Sequence, residues 1–360
     1  MMMPPMPFPP PGMYGPPPRQ RGSVGRVLAT AVATAIVVFS LGANLLFLLV
    51  MAAGAASMRG AEPVIEREVA AGNRNEKIAV LPVGGVIDAE MRATFDNLIE
   101  RVEKDDDVRG VVVWVDSPGG GVTESDQIYN RIRRFKTDMA GRGRSVPVVV
   151  SMGSLATSGG YYVACAADHI VAERTCLTGN IGVLMPRYNV HELFDKWGVR
   201  ETTVTSSGTD FKNAGSMFQP ENPRDTAYIQ ELADGAFAVF KQVVAQGRQS
   251  KLTKPLDEIA NGKVYIAADA LTLGLIDQVG GVDAAVAHVQ QVAGLANPSV
   301  VHYAEPEPLF QGLGVASELL SPRASAGDGG VTINGVNVTL DRSALYELTT
   351  PRLMYLWQGQ

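Results

Sequence analysis

Cysteine is almost missing from this chain of 360 residues: Cys165 and Cys176 are the whole supply. Two thiols cannot build a disulfide scaffold. Both stand in apolar stretches, Cys165 among small helix-forming residues and Cys176 before Leu177. An unpaired thiol in such a place packs as a small hydrophobe, so buried free thiols are expected rather than a bridge. Histidine is scarce as well, limited to His169, His191, His288 and His302. None of these has a glycine-rich or strand-end context, so a Ser-His-Asp triad is poorly supported. No His-x-x-x-His or Cys-x-x-Cys spacing occurs, and no metal is expected. Charged residues make up only 19% of the chain, with a net charge of −6 and no basic tract. A nucleic-acid partner would need such a footprint, and none is expected. Gly119-Gly120-Gly121 lacks both the Lys-Ser/Thr of a P-loop and a dinucleotide fingerprint, so no cofactor is expected either. No internal repeat is apparent.

Long uncharged sequence, by contrast, is present. Val27 to Ala56 carries no formal charge, and about twenty apolar residues already span a bilayer. Residues 27–56 therefore read as one transmembrane helix. Arg19, Arg21 and Arg26 precede it, which places the N-terminus in the cytoplasm and the rest of the chain outside it. A cleaved signal peptide is the rival, with Ala53-Gly54-Ala55 as its cleavage site, but the apolar run is about twice the usual length. Ahead of the helix, residues 1–26 form a Met/Pro-rich tail, expected to be extended and disordered on the cytoplasmic side. Residues 57–77 are polar without periodicity and read as a juxtamembrane linker.

The folded domain is expected over 78–297. Ile78 to Val83 reads as a strand and Gly84-Gly85 as a turn. Met91, Phe95, Leu98, Ile99 and Val102 then recur at helical spacing. Val108 to Val115 is apolar on both faces, as in a parallel sheet covered by helices. It ends in Asp116-Ser117-Pro118-Gly119-Gly120-Gly121, a further helix follows, and Val148 to Met152 forms the next strand. Alternating strands and helices predict an α/β domain with right-handed crossovers. In such sheets, sites lie outside the carboxyl ends of the strands. Later expectations are a strand from Thr202 leading into a glycine-rich loop, a long helix from Pro223, and helices at 267–273 and 282–293. Residues 298–360 read as an extension with a hairpin around Asn334-Gly335 and an apolar tail, Pro351 to Trp357.

Ser158 occupies a strand-to-helix junction and is followed by Gly159-Gly160. A nucleophile beside backbone donors needs this arrangement; an ordinary N-cap and hinge give the same pattern. The glycine loop at 119–121 ends a neighbouring strand, so its amides are candidate oxyanion donors. With no suitable histidine, the base can be a lysine kept dry enough to lose its charge. Lys212, between Phe211 and Asn213-Ala214-Gly215, suits that role.

Taken in order, Ser117-Pro118-Gly119-Gly120, Ser158-Gly159-Gly160-Tyr161-Tyr162, Thr178-Gly179-Asn180-Ile181-Gly182-Val183, Phe211-Lys212-Asn213-Ala214-Gly215 and Gly274-Leu275-Ile276-Asp277 resemble the signal peptide peptidase A family. Its members are membrane-anchored serine–lysine proteases. The resemblance implies a crotonase/Clp-protease-like domain of repeated β-β-α and βαβ units behind one transmembrane helix. It implies Ser158 as nucleophile, Lys212 as general base, and Gly119, Gly120 and Gly159 as the oxyanion hole. Asn180 stands where the family usually has a serine that positions the lysine. Hydrophobic peptides such as signal-peptide remnants are the implied substrates, and a homo-oligomeric ring the implied assembly, with some members completing each site between subunits. The alternatives are a catalytically silent membrane scaffold of the same fold and a crotonase-like acyl-CoA enzyme.

Overall fold

Apolar residues on alternate faces of successive strands give this protein a sheet buried on both sides. The computed structural model describes residues 24–57, 64–248, 250–304, 331–333, 336–338 and 354–356. The Met/Pro tail up to residue 23 and the turn at Asn334-Gly335 lie outside them, as does most of 305–353. The chain forms two units, Met1–Ala61 and Glu62–Gln360.

In the first unit, α1 (Val24–Ser57) is one uninterrupted helix. Its segment Leu28–Leu48 is long and apolar enough to cross a membrane. At 1.5 Å per residue it spans roughly 30 Å, the thickness of a bilayer core. Thr34 Oγ1 donates to Thr30 O and Asn44 Nδ2 to Ser40 O. The few polar side chains are thus satisfied within the helix, as an apolar environment requires.

The second unit runs β1 (Ile65–Ala70), β2 (Asn73–Ile87), α2 (Ala89–Glu103), β3 (Val108–Gly121), α3 (Val122–Gly141), β4 (Val148–Thr157), α4 (Gly159–Ala164), β5 (His169–Ala172) and β6 (Leu177–Gly179). It continues with α5 (His191–Lys196), α6 (Pro223–Arg248), α7 (Leu256–Ile259), β7 (Val264–Ile266), α8 (Ala267–Thr272), β8 (Gln278–Val279), α9 (Val282–Ala293) and β9 (Pro298–Ala304). Three short strands follow, β10 (Val331–Ile333), β11 (Val336–Val338) and β12 (Met354–Leu356). The main sheet has the order β1-β9-β2-β3-β4-β5-β8, parallel throughout except for β1 at the edge. Ala79, Leu81, Val111, Val113 and Val150 face a large core under α2, α3, α4 and α6. Ile78, Val80, Val112 and Val149 face a smaller one closed by Ala285 and Val289 of α9.

Strand pairing runs past both ends of the 78–297 span. β1 and the start of β2 arise from the stretch read as a linker, and β1 pairs with β9, which lies in the stretch read as an extension. β1 is exposed along its whole length. It is held by its backbone and by polar side chains, Glu66 bonding Lys77 and Tyr303, so no apolar period is there to read. Gly84-Gly85 does not turn the chain. The register shifts there, Gly85 takes φ 68°, and the strand resumes to pair Val86 with Gly119 and Ile87 with Gly120. Thr202 to Thr205 is irregular and exposed rather than a strand; β-forming residues without a partner strand do not hold a ladder.

Two departures from a flat sheet shape the site. The first half of β4 pairs with β5, but its last residues, Leu155–Thr157, pair with β6. β3 parts from β4 after Ser117, while its other edge stays with β2 through Gly120. The two strand ends therefore diverge, and Ser158 and the glycine segment flank the opening.

Candidate active site

Ser158 follows the last residue of β4 and is 1% exposed. Its backbone has φ 54° and ψ −115°, a region that glycine favours and other residues enter only under constraint. The constraint is visible: Ser158 N–H donates to Gly179 O at 2.8 Å, and Ser158 O accepts from Tyr162 N–H at 2.9 Å. One bond anchors the turn to β6 and the other starts α4. The side chain does not cap the helix, so the N-cap explanation for this serine falls away.

Gly159 and Gly160 are there for closeness. A Cβ on Gly159 would meet Ser125 Oγ at 2.5 Å and Gly120 N at 3.1 Å, and one on Gly160 would meet Ser117 O at 3.0 Å. The start of α4 thus lies directly on the end of β3. Gly159 N–H and Gly160 N–H open the helix and have no acceptor one turn behind them. Gly119 differs from its neighbour: its N–H donates to Ser117 Oγ at 3.0 Å, and its φ is 101°. Gly120 sits so close to β2 that a Cβ would lie 2.0 Å from Ile87 O. The structure therefore brings Gly119, Gly120, Gly159 and Ser158 together, with the Gly119 amide already engaged.

Asn180 also has a left-handed backbone, φ 52°, a conformation asparagine tolerates better than most residues. Its Nδ2 donates to Gly262 O at 2.7 Å, and its N–H to Lys263 O at 2.8 Å. With the amide nitrogen turned to the backbone, the Oδ1 acceptor is turned away from it.

Lys212 is exposed, in a loop whose order comes from other residues. Its N–H donates to Thr209 O, Phe211 packs on Tyr228 at 4.8 Å, and Arg224 lies 4.3 Å above the Phe211 ring. Glu201 gathers Ser216 Oγ, Thr203 Oγ1 and Asn213 Nδ2, which hold its carboxyl below the usual range. Among the described residues, no hydrogen bond or ion pair joins the Lys212 ammonium to Ser158 or to any carboxylate. The histidines also lie elsewhere; His169 stacks on His288 at 3.7 Å beside Asp277, and His191 Nδ1 meets Phe218 O. No metal-binding cluster occurs among the described residues.

Two features went unread in the sequence. Ser117 is the acceptor that occupies Gly119; its only signal was its place before Pro118. The other is β12, which pairs antiparallel with the glycine segment, Met354 with Gly121, Tyr355 with Gly120 and Leu356 with Gly119. Met354 also exchanges two hydrogen bonds with Leu184, at 3.0 and 3.1 Å. Its apolar sequence pointed to packing on its own domain, at a subunit interface or in a neighbour's cleft, but not to this strand edge.

A parallel sheet whose strands part beside a buried, strained serine and a glycine-rich strand end defines an α/β protein of the Clp-protease type, and the sequence pattern of Clp protease fits residues 71–170. The pattern of Peptidase family S49 fits residues 141–296. A putative protease of Synechocystis is 31% identical over 241 residues, covering 66% of this chain and 83% of that one. This chain belongs to peptidase family S49, a family of serine peptidases that includes the signal peptide peptidase SppA. A putative SppA of Enterococcus faecium is 29% identical over 255 residues, 68% of this chain and 72% of its own. A putative protease of Methanocaldococcus jannaschii is 34% identical, and the match spans 58% of this chain and 64% of that relative's length. Among solved structures, the 1510-N membrane-bound stomatin-specific protease aligns over 68% of this chain and 97% of its own, with TM-score 0.40 and 16% identity.

Proposed function

We propose that this protein is a membrane-anchored serine endopeptidase in which Ser158 attacks the scissile carbonyl of apolar peptides and Lys212 serves as general base. The observation that carries the reading is the Ser158 corner itself. A serine held at φ 54° against the Gly120 and Gly159 backbone is strain of the kind stored at reacting centres. Gly120 and Gly159 supply the oxyanion donors, and Gly119, bonded to Ser117, supplies the turn that aims them. Water then releases the acyl-enzyme.

Exposure of Lys212 within one chain supports a dyad completed between subunits. The segment leading to it is rich in uncovered apolar surface, with Trp197 80% and Val204 94% exposed. Such a patch marks a contact surface. A neighbouring copy covering it would take Lys212 out of water and carry it to the next Ser158, where Asn180 Oδ1 can accept from the amine. A ring of subunits satisfies this arrangement. α1 holds the particle in the membrane, with the basic N-terminus cytoplasmic and the peptidase unit on the far side; signal-peptide remnants are the substrates such a placement offers.

The test is complementation. Ser158→Ala and Lys212→Ala chains, each inactive alone on a fluorogenic apolar peptide, regain activity when co-assembled if the dyad forms between copies. Full activity of Lys212→Ala alone would reject the base. Recovery absent from mixed assemblies, with each variant correctly oligomeric, would reject the shared site.

A further inference from the structure

We propose that Arg187 is a carboxylate receptor of the peptide site, so that the protein selects apolar peptides carrying a negative group at a set distance from the cleaved bond. The proposal rests on reading the Ser158 corner as the reacting centre. Arg187 lies in the irregular stretch between β6 and α5 and is half-buried. Its Nε is buried and bonds to nothing among the described residues. No hydrogen bond or ion pair among those residues reaches its other nitrogens. The guanidinium lies against Gly215. A Cβ there would stand 3.4 Å from Nε, 3.5 Å from Nη2 and 2.7 Å from Ile229 Cδ1.

A guanidinium is a rigid fork of five donors that keeps its charge at any ordinary pH. Taking part of it out of water without an acceptor is costly, and buried donors in folded proteins are nearly always matched. The carboxylates of the loop that follows α5 are already engaged. Glu201 accepts from Ser216 Oγ at 2.6 Å, Thr203 Oγ1 at 2.5 Å and Asn213 Nδ2 at 3.4 Å, and Asp210 pairs with Arg224 at 3.1 Å. The acceptor must therefore come from outside this loop. A planar carboxylate matches the fork with two parallel hydrogen bonds. A peptide offers that group as its free end or as an Asp or Glu side chain.

The position ties this residue to the reaction. Ser158 N–H is held by Gly179 O, and the chain runs on through Asn180 to Arg187 with no helix between. The guanidinium then meets Gly215, which closes the segment carrying Lys212. Arg187 thus stands on the stretch that joins the Ser158 corner to the loop of the proposed base. At about 3.6 Å per residue or less, it lies within about 25 Å of Asn180. An extended peptide of about seven residues covers that length, which bounds the distance from the scissile bond to the carboxylate. Charge-assisted hydrogen bonds of this kind should favour a carboxylate over its neutral amide by about 10- to 100-fold.

The experiment uses the full chain in detergent with fluorogenic apolar peptides. One series varies the length beyond the scissile bond, each peptide made with a free C-terminal carboxylate and as the amide. A second series, amidated throughout, places Glu or Gln at successive positions. The ratio of kcat/KM for the acid to that for its neutral partner should reach about 10 or more at one spacing. A response in the first series makes the peptide end the source of the carboxylate, and a response in the second makes it a side chain. In Arg187→Gln the ratio should fall to about 1. Arg187→Lys, which keeps the charge without the fork, should retain part of the preference and serves if Arg187→Gln fails to fold. Anisotropy of the same peptides, labelled, is measured on Ser158→Ala protein with and without Arg187→Gln. A preference for the acid that vanishes with Arg187 supports the proposal even if no form hydrolyses peptide, in which case the peptidase reading alone fails. Ratios near 1 at every spacing, a preference that survives Arg187→Gln, or no binding of either peptide overturns it. A smaller particle for Arg187→Gln by light scattering, with ratios near 1 in the unaltered protein, assigns the guanidinium to a second copy's carboxylate and overturns it as well.

Discussion

Replacing Ser158 by glycine should remove activity and yet stabilise the fold relative to Ser158→Ala. The comparison isolates the backbone, because alanine keeps the Cβ that makes φ 54°, ψ −115° costly. A non-glycine residue in such a region costs about 2–3 kcal/mol, at the upper end for strained positions. Against this, glycine loses about 0.4–1 kcal/mol through the freedom of the unfolded chain. Losing the buried Cβ costs about 0.8 kcal/mol more. The balance favours glycine by about 1 kcal/mol. For a domain of this size that is a rise of about 2–4 °C in Tm. Thermal unfolding followed by tryptophan fluorescence, on both variants in the same detergent, reads the difference directly. If Ser158→Gly melts at or below Ser158→Ala, the corner is not strained and the argument for a stored conformation fails.

Four other outcomes follow from the structure. Gly120→Ala should lower kcat by a factor of about 100 or more and destabilise by about 1–3 kcal/mol, since its Cβ would sit 2.0 Å from Ile87 O with only backbone to yield; peptidase assays and melts check both. Arg248, 2% exposed, binds Asp277 at 2.7 and 3.0 Å and Gly274 O at 2.7 and 3.0 Å. Arg248→Met should cost about 3 kcal/mol in a urea titration, because it leaves the partly buried Asp277 without its main partner. Burial pushes the Asp277 carboxyl up, but Arg248, Lys251 and the Ile170 amide together bring it down to about 2 from 3.8. The resulting stability, roughly 2 kcal/mol, is full above pH 4–5 or so and is lost as pH falls toward about 2; denaturation at pH 6 and pH 3 should differ in that direction. Burial also pushes the thiols of Cys165 and Cys176 up to about 12, so both should resist iodoacetamide in the native protein and react on unfolding.

The strands and helices of the central sheet were legible because burial on both faces writes itself into composition, as in Val111–Val115 and Val148–Met152. The helices from Pro223 and over Val282–Ala293 were legible through their period and boundaries. β1 was not, because an exposed edge strand paired through its backbone has no apolar signature. Thr202–Thr205 misled for the opposite reason, carrying β-forming residues with no strand to pair with. Within the site, the residue types at Ser158, Gly159 and Gly120 followed from their place at strand ends. That Gly119 has its amide bound by Ser117 did not, since a side-chain hydrogen bond two residues along a strand end leaves no trace in spacing.

What the sequence determined alone was local: an apolar helix long enough for a bilayer, two-faced strands, and a serine and glycines at strand ends, all set by side-chain chemistry over a few neighbouring residues. What only the tertiary structure decided was which ends meet. β4 changes partner from β5 to β6, β3 separates from β4 after Ser117, and β12 takes the freed edge. These choices are made by backbone hydrogen bonds between segments far apart in the chain, and a backbone amide looks the same in every residue that offers one.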